Sequence, residues 1–500
     1  MGRIEDFDSF ETEEMIKTTM TSKWRLNYHV QPVMGKLGAP CGFFYINGLY
    51  HLFYEWTPSV TDEEKYLYHV TSEDLVHFNN EGIKVRPDDL YDKYNLYGGS
   101  LSLINNELTL FFTGEQEKND GIHTYQLAGT VDTDFNVKKF STPILREIEP
   151  GYNTYFRNPY VFSCDGEINM MIGTMNSDEF GRIIMYRGKS LNDLKFIGEI
   201  NTGYDMFGYF WESPELFHLD DAEVLIINPR GLDKYKDFFW NIYQSGYMIN
   251  DFEYGSLFVN HDDYREFDSG FDFYRPVTST DKDGRRVLIA WMSAHESQYP
   301  TEVDGWKNAL TLPRVLKVDE DSLIQTPHPN LKSLRKEKLT AMGYFNEHRK
   351  QLTDFYGSSY ELNIDIKENN AKELNFMLRK SNREETIIHY NTDENRITLD
   401  RTFSGALISN VDGTKRSKVL NRPLEHLQIF MDESSIEIFI NGGEHTMTAR
   451  IFPREESVGV EVMTEDGDCF VEMTHYKLGK FKENPILTSR KKSNHIYTGG

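Results

Sequence analysis

Five positions recur at nearly the same offset before five similar turn dipeptides, and four of them carry groups capable of chemistry. Each position lies eight or nine residues before the second residue of its turn. The five positions are Ala39, Tyr97 or Gly98, Asn158, Glu212 and Arg275. A carboxylate, an amide, a phenol and a guanidinium that converge could hold a polar ligand or move a proton.

The turns themselves belong to a repeat that must position these side chains. In each copy a turn suited to a hairpin precedes an apolar run short enough for one strand, and the copies recur every 55 to 63 residues. The dipeptides are Asn47-Gly48, Asn105-Asn106, Asp165-Gly166, Asp220-Asp221 and Asp283-Gly284. Sheets repeated at a nearly constant interval are typical of a radial array, so we predict a five-bladed β-propeller with a shared central funnel.

The pattern ends near Pro327 and Pro329, as at a domain junction. Alternating segments such as SSIEIFI and HTMTARIF then predict strands of a second β domain. We therefore expect an all-β chain with a propeller over residues 1–325, a linker over 326–342, a β-sandwich over 343–490 and a flexible tail over 491–500.

Composition excludes several classes of partner. The formal net charge of −25 would repel nucleic acid and anionic membranes, so we expect neither as a partner. The sequence has no apolar stretch typical of a signal peptide or a membrane span, which predicts a cytoplasmic protein. Cys41, Cys164 and Cys469 are too widely spaced for a zinc pattern, so we predict no metal and no cofactor. Homo-oligomerisation stays open.

Nine segments, in order from about Trp24 to Leu478, resemble glycoside hydrolase family 32, the family of invertases, sucrose-6-phosphate hydrolases and fructanases. The resemblance implies a five-bladed propeller followed by a β-sandwich, in agreement with the repeat count, and a small carbohydrate as ligand. The segments are YHVQPVMGKLGAPCGFFYINGLYHLFYEWTP, TSEDLVHF, YGGSLSL, YFRNPYVF, GYFWESPELF, NIYQSGY, SGFDFYRPVT, WKNALTLPR and DESSIEIFINGGEHTMTARIFP.

The resemblance also implies an altered catalytic site. Retaining glycoside hydrolysis needs a carboxylate nucleophile and a carboxylic acid about 5 Å apart. Glu212, in WESP, matches the family's acid/base, but the nucleophile position in KLGAPCG is Ala39. No Asp or Glu occurs between Trp24 and Glu55 to replace it. The family's third carboxylate, in its Arg-Asp-Pro motif, is here Asn158.

Two further departures each leave two interpretations. Glu55 stands where the family has Gln, so it could act with Glu212 as a replacement nucleophile or a base for water. Alternatively it binds a hydroxyl group or pairs with a cation such as Arg275, which is the commoner role of pocket carboxylates. Arg275 in turn either binds an anion such as a sugar phosphate or pairs with Glu212 or Asp272.

The predicted catalytic residues are thus Glu212 and Glu55. Arg157, Ser100 and Trp306 match family positions that line the sugar site. The full predicted binding set is Arg157, Asn158, Ser100, Tyr97, Arg275 and Trp306.

Three functions remain open, because fold alone does not decide function. The substitutions at Ala39 and Asn158 favour a protein that recognises a fructoside or sugar phosphate with hydrolysis absent or much weakened. The alternative is an active β-fructofuranosidase or sucrose-6-phosphate hydrolase that uses Glu212 as acid/base and Glu55 as replacement carboxylate. A scaffold or regulatory partner without sugar binding is the third.

Overall fold

The computed structural model describes residues 10–252, 257–261, 263–293, 297–408 and 413–481. Their regular secondary structure is almost entirely β-strand. A single α-helix, α1 (Phe10–Met20), precedes the strands of this described part. The expected tail at 491–500 lies outside the described residues. No helix among them is long and apolar enough to cross a bilayer.

The first domain is a propeller of five antiparallel sheets, as predicted. Blade 1 contains β1 (Gly35–Ile46), β2 (Leu49–Thr57), β3 (Tyr66–Ser72) and β4 (Phe78–Val85); blade 2 contains β5 (Asn95–Ile104), β6 (Glu107–Lys118), β7 (Gly121–Val131) and β8 (Val137–Lys139); blade 3 contains β9 (Tyr152–Cys164), β10 (Glu167–Asn176), β11 (Gly181–Gly188) and β12 (Lys195–Glu199). Blade 4 contains β13 (Phe210–Leu219), β14 (Ala222–Arg230), β15 (Gly246–Asn250) and β16 (Arg265–Glu266); blade 5 contains β17 (Tyr274–Thr280), β18 (Arg286–Met292), β20 (Ala309–Leu310), β21 (Arg314–Asp319) and β22 (Ser322–Pro327). The short β19 (Trp306–Lys307) pairs in parallel with β1, which links the last blade to the first.

Each predicted turn joins the first and second strands of one blade, which confirms the repeat. Asn47 and Gly48 have φ angles of 53° and 84°, the left-handed backbone that a tight hairpin of this kind requires at both central positions. Asn and Gly tolerate this conformation better than other residues, so the dipeptides are the sequence signal for the blades.

A β-bulge interrupts the innermost strand of every blade, and this ring of bulges forms the floor of the funnel. The interruptions fall between Leu37 and Pro40, Gly98 and Leu101, Arg157 and Tyr160, Glu212 and Glu215, and Tyr274 and Val277. In three bulges the residue before a proline has a positive φ: 62° at Asn158, 44° at Ser213 and 45° at Arg275. A positive φ costs about 1–2 kcal/mol for a residue with a Cβ. The surrounding strands must offset this cost, so the bulges are a built feature of the fold and not a defect.

The bulges correct one prediction about register. Ser213 is the counterpart of Asn158 and Arg275, and Glu212 stands one residue earlier, level with Arg157 and Tyr274. The expected equivalence of Glu212 with Asn158 is therefore wrong by one residue, because bulges shift the pairing between the turn and the funnel.

The second domain is a sandwich of two six-stranded sheets. One sheet has the order β23-β34-β25-β30-β31-β32 and the other β24-β33-β26-β27-β28-β29. The strands are β23 (Arg335–Phe345), β24 (Lys350–Tyr356), β25 (Tyr360–Asn369), β26 (Glu373–Lys380), β27 (Glu385–Asn391), β28 (Arg396–Phe403), β29 (Lys415–Val419), β30 (His426–Asp432), β31 (Ser435–Ile440), β32 (His445–Arg450), β33 (Gly459–Glu465) and β34 (Cys469–Leu478).

The junction between the domains is shorter than the linker expected at 326–342. A 3-10 helix at Pro329–Leu334 follows β22 directly, and β23 already begins at Arg335. Pairing of β23 with β34 provides hydrogen-bond partners for its backbone, which is why this segment is a strand of the sandwich.

A buried arginine joins the two domains. Arg314, on β21, has no exposed surface and donates hydrogen bonds to Asp268 (3.1 Å) in the propeller and Glu437 (2.7 Å) on β31. Thr446 and Thr448 on β32 accept from the same guanidinium at 3.0 and 2.6 Å. Paired and hydrogen-bonded charges of this kind hold the propeller against the sandwich.

Candidate active site

Glu212 is surrounded by hydrogen-bond donors from two blades besides its own. Its Oε1 accepts from Nε and Nη2 of Arg157 at 3.0 and 2.7 Å. Its Oε2 accepts from Nε and Nη2 of Arg230 at 3.0 and 2.7 Å and from the Tyr274 hydroxyl at 2.7 Å. Five hydrogen bonds therefore converge on one carboxylate whose side chain is 1% exposed.

These partners keep Glu212 ionised. Burial raises the pKa of Glu212, but the charges of Arg230 and Arg157 outweigh burial and hold the pKa well below its usual 4.5. A glycosidase acid needs the opposite shift, since it must carry a proton near neutral pH. In this arrangement Glu212 is an anion, and it has to take up a proton before it can act as an acid.

Glu55 is held by a second set of cationic partners. Its Oε1 accepts from the backbone N–H of Gly98 at 3.1 Å and lies 3.3 Å from both Nη atoms of Arg275. Its Oε2 lies 3.4 Å from Nζ of Lys65. Burial raises the pKa of Glu55, yet Lys65 and Arg275 lower it overall, so Glu55 is also an anion. Glu55 thus forms the ion pair with Arg275 that was one of the two roles considered for it in the sequence.

Arg275 interacts with both carboxylates. It contacts Glu55 directly, donates from Nε to the Ser213 hydroxyl at 2.9 Å, and interacts with Glu212 through charge. An ion pair of Arg275 with Asp272, one of the alternatives for this arginine, is not formed, and the Asp272 carboxylate pairs instead with Arg401 of the sandwich at 2.9 Å. Arg275 links the two predicted catalytic residues into one charged cluster.

Ala39 contributes no polar atom to this cluster. It is 1% exposed and belongs to the same buried apolar group as Tyr54 and Trp291. The strand that carries Glu55 lies against this segment: a Cβ placed on Gly38 would come within 2.8 Å of the Glu55 Cβ. Glu55 thus lies against Gly38, the residue next to the position of the missing nucleophile.

The cluster contains more cations than carboxylates. Its cationic side chains are those of Lys65, Arg157, Arg230 and Arg275, and its carboxylates are those of Glu55, Glu115 and Glu212. Burial raises the pKa of Glu115 and weakens its negative charge further. The cluster thus carries a net positive charge although the whole chain has a formal net charge of −25. This local excess of positive charge favours an anionic ligand.

Tyr97 forms one wall of the cluster, as predicted from the turn offset. Its ring centre lies 3.8 Å from the Lys65 ammonium and 4.6 Å from the Arg157 guanidinium carbon. Burial raises the pKa of Tyr97 to about 12, so its hydroxyl is neutral. Aromatic contacts of this kind hold cationic side chains in position.

Asn158 and Ser100 line a cavity of about 400 Å³ to which the innermost strands of all five blades contribute. The Asn158 amide donates to the Gly98 carbonyl at 2.6 Å, and the Ser100 hydroxyl accepts from the Val161 N–H at 3.0 Å. Neither has a recorded contact with Glu212. Glu215, also at this cavity, has its pKa raised to about 7 by burial.

Trp306 has no access to the funnel. It is fully buried, with the guanidinium carbons of Arg25 and Arg450 at 5.1 and 5.4 Å from its ring centre. The predicted role of Trp306 in lining the sugar site is therefore not met by its position in this structure.

Four residues of the cluster were missed by sequence reasoning: Arg230, Lys65, Glu115 and Tyr274. Arg230 had a usable signal, because it ends the apolar run of β14, whose residue Asn228 pairs with Glu212. A charged residue two positions farther along one strand points to the same face. Tyr274 owes its position to the bulge in β17, which the turn spacing does not reveal, and Lys65 lies in a loop. Neither residue could be predicted from the sequence pattern.

Metal-ligating side chains do not cluster in the part of the chain that the structure describes, since no group of three His, Cys, Asp or Glu could hold an ion.

Both domains match the sequence patterns of one family. Residues 29–327 match the Glycosyl hydrolases family 32 N-terminal domain, and residues 330–477 match the Glycosyl hydrolases family 32 C terminal domain. The two matches together span most of the chain.

Relatives with similar sequences share a common description. The chain is 39% identical over 479 residues to the sucrose-6-phosphate hydrolase of Staphylococcus xylosus, covering 95% of this chain and 97% of that protein. It is 33% identical to the sucrose-6-phosphate hydrolase of Bacillus subtilis (strain 168), covering 89% and 92%.

Solved structures show the same architecture. Sucrose-6-phosphate hydrolase from Lactobacillus gasseri superposes with a TM-score of 0.88 at 28% identity, covering 96% of this chain and 98% of that one. The β-fructofuranosidase BmSUC1 of Bombyx mori superposes with a TM-score of 0.83 at 22% identity, covering 96% and 99%, a likeness of fold alone.

Proposed function

This chain belongs to glycoside hydrolase family 32, and from that premise we propose that it hydrolyses a phosphorylated β-fructoside, as a sucrose-6-phosphate hydrolase does. The relatives support the class of reaction. The observation that carries the proposal is the cationic cluster, in which Arg275 pairs with Glu55 and also interacts with Glu212 through charge. Its excess of cations suits a phosphate group on the sugar.

In this proposal Glu212 protonates the oxygen of the leaving sugar, and Glu55 replaces the carboxylate that is absent at Ala39. Glu55 is ionised, so it could attack the anomeric carbon or remove a proton from an attacking water. The first route retains the anomeric configuration and the second inverts it. The fructose anomer released first, measured by NMR, distinguishes the two routes.

A second candidate, recognition of the sugar without cleavage, is favoured by two specific observations. Ala39 offers no nucleophile, and the arginines that hold Glu212 keep it unprotonated. Loss of a nucleophile commonly costs many powers of ten in rate. The two candidates therefore share the ligand and differ in turnover.

Turnover of sucrose 6-phosphate and of sucrose, measured beside ligand binding by calorimetry, tests the proposal. The wild type should cleave the phosphorylated sugar faster, and Glu55→Gln and Glu212→Gln should each reduce the rate by about 10²-fold or more. Arg335→Gln, in the sandwich, is the control and should retain full activity.

Each other outcome identifies a different function. Binding without turnover supports recognition alone, and neither binding nor turnover supports a scaffold. Activity that survives both glutamate substitutions would come from other residues or from a contaminating enzyme, and would contradict the proposed roles of Glu55 and Glu212.

A further inference from the structure

The protein holds Glu212 in the way that a receptor holds a bound anion. Arg157 directs two N–H groups at Oε1, and Arg230 directs two at Oε2. Each guanidinium thus spends both donors on one oxygen. A sulfate ion has four oxygens, one for each donor, and a phosphate ester has three terminal oxygens that the two arginines can share, which is closer to the paired geometry that arginine prefers.

The chain itself provides the contrast. In the sandwich, Arg335 donates from Nε to Oε2 of Glu361 at 2.7 Å and from Nη2 to Oε1 at 2.6 Å, so the two donors meet two oxygens. Glu212 cannot offer this arrangement to two arginines at once. The pairing at Glu212 is therefore less complete for each arginine than the pairing at Glu361.

The two arginines are positioned independently of Glu212. The guanidinium carbon of Arg157 lies 4.6 Å from the ring centre of Tyr97 and 5.0 Å from that of Phe210. That of Arg230 lies 4.2 Å from the ring centre of Tyr243. The arginine side chains are 13% and 11% exposed, whereas Glu212 is 1% exposed. Part of each arginine side chain is therefore open to solvent, and the aromatic rings favour the present positions of the guanidinium groups when the anion changes.

We infer that Arg157 and Arg230 form the receptor for the anionic group of the substrate, and that Glu212 occupies this receptor as an internal competitor in the free protein. A bound phosphate takes over the arginine donors and releases Glu212 from them. The inference rests on the proposed function for the identity of the substrate, but it concerns anion binding and needs no turnover.

Release changes the protonation of Glu212. Once the charges of both arginines are shared with a phosphate, burial dominates and favours the neutral acid, so Glu212 takes a proton from solvent. The remaining charged or titratable groups that face it are Tyr274 and Arg275 from β17, Glu55 from β2, Lys65 and Tyr97. The substrate would thereby load the proton that the leaving oxygen later receives.

Calorimetric titration with sodium sulfate tests the inference, because sulfate keeps its charge across the working pH range. For the wild type, affinity should rise about tenfold or more as pH falls from about 8 to about 5, with net proton uptake revealed by two buffers of different ionisation enthalpy. This measurement requires no variant.

The variants sharpen the test because they predict opposite changes. Glu212→Gln removes the competitor, so sulfate should bind about tenfold more tightly than to the wild type at pH 7, with little dependence on pH. Arg230→Gln should lose most of the affinity. Arg335→Gln is the control and should match the wild type.

Three results would overturn the inference: no binding of sulfate to the wild type or to Glu212→Gln, sulfate that binds Glu212→Gln no more tightly than wild type, or wild-type binding without proton uptake. Failure of the proposed function gives a different result, in which sulfate binds as described but sucrose 6-phosphate is not cleaved. Cleavage of sucrose 6-phosphate without any sulfate binding would leave the function intact and remove the receptor.

Discussion

Substitution of Glu212 by Gln should destabilise the propeller while it improves anion binding. The glutamine keeps the shape of the side chain but loses its charge, and its amide group faces one guanidinium with a donor instead of an acceptor. Arg157 or Arg230 then loses its partner in a site where both are at least 87% buried. The tight pairing of Glu212 seen in the free protein predicts this cost.

The expected magnitude follows from the geometry. Removing one member of a buried ion pair costs about 3–5 kcal/mol, because the remaining charge stays buried without compensation. Water reaches part of each guanidinium, and Gln retains one acceptor oxygen, so we expect a loss of about 2–4 kcal/mol at pH 7.

Denaturant unfolding of wild type and variant across pH measures this loss. The folded-state pKa of Glu212 is depressed, so its stabilisation is present above the unfolded value of 4.5 and is lost as pH falls through the folded value. The gap between wild type and Glu212→Gln should therefore narrow below about pH 4.5. Glu361→Gln, which breaks a single arginine pair in the sandwich, is the matched control. A gap that is absent at pH 7, or unchanged at low pH, would refute the reasoning.

Three further predictions concern the cavity, the lost carboxylate and the domain junction. The pKa of Glu215 is raised to about 7, so the folded state binds the extra proton and stability should fall as pH rises from about 4.5 to 7; Glu215→Gln should abolish a change of about 2–3 kcal/mol in urea unfolding. Asn158→Asp should not restore ordinary hydrolysis and should lower stability by about 1–3 kcal/mol, because the amide that donates to the Gly98 carbonyl becomes an acceptor; an increase in rate of sucrose 6-phosphate cleavage would contradict this. Arg314→Met should cost about 3–5 kcal/mol and separate the unfolding of the two domains in calorimetry, since Asp268 and Glu437 would remain buried without their cation; a single unchanged transition would show that the pairing does not couple the domains.

Local signals carried the fold prediction. The tight hairpins at Asn47-Gly48 and Asp165-Gly166 require a left-handed backbone that few other residue types adopt. The turns, and with them the five blades, could therefore be predicted from neighbouring residues alone. The linker was predicted to extend too far along the chain, because the pairing of β23 with the distant β34 cannot be recognised from neighbouring residues.

The structure brings some of the predicted site residues together and leaves others apart. Tyr97, Arg157 and Arg275 were expected in the funnel, and the structure brings them together around Glu55 and Glu212. Arg230 was missed because its partner lies on a neighbouring strand, and a one-residue bulge could not be read from turn spacing. Trp306 was expected in the funnel by resemblance, but the structure buries it between Arg25 and Arg450.

The ring of bulges has a consequence for how such proteins diverge. Its backbone shape is maintained by strand pairing and prolines, whereas the residues it projects range from Ala39 to Arg275 without loss of the architecture. The same backbone can therefore present different side chains, but a ring residue that is paired, such as Glu212 or Asn158, also carries part of the stability. A lineage that changes its ligand has to replace such a pair together, and libraries that vary Glu212 along with Arg157 and Arg230 should contain more folded proteins than libraries that vary Glu212 alone.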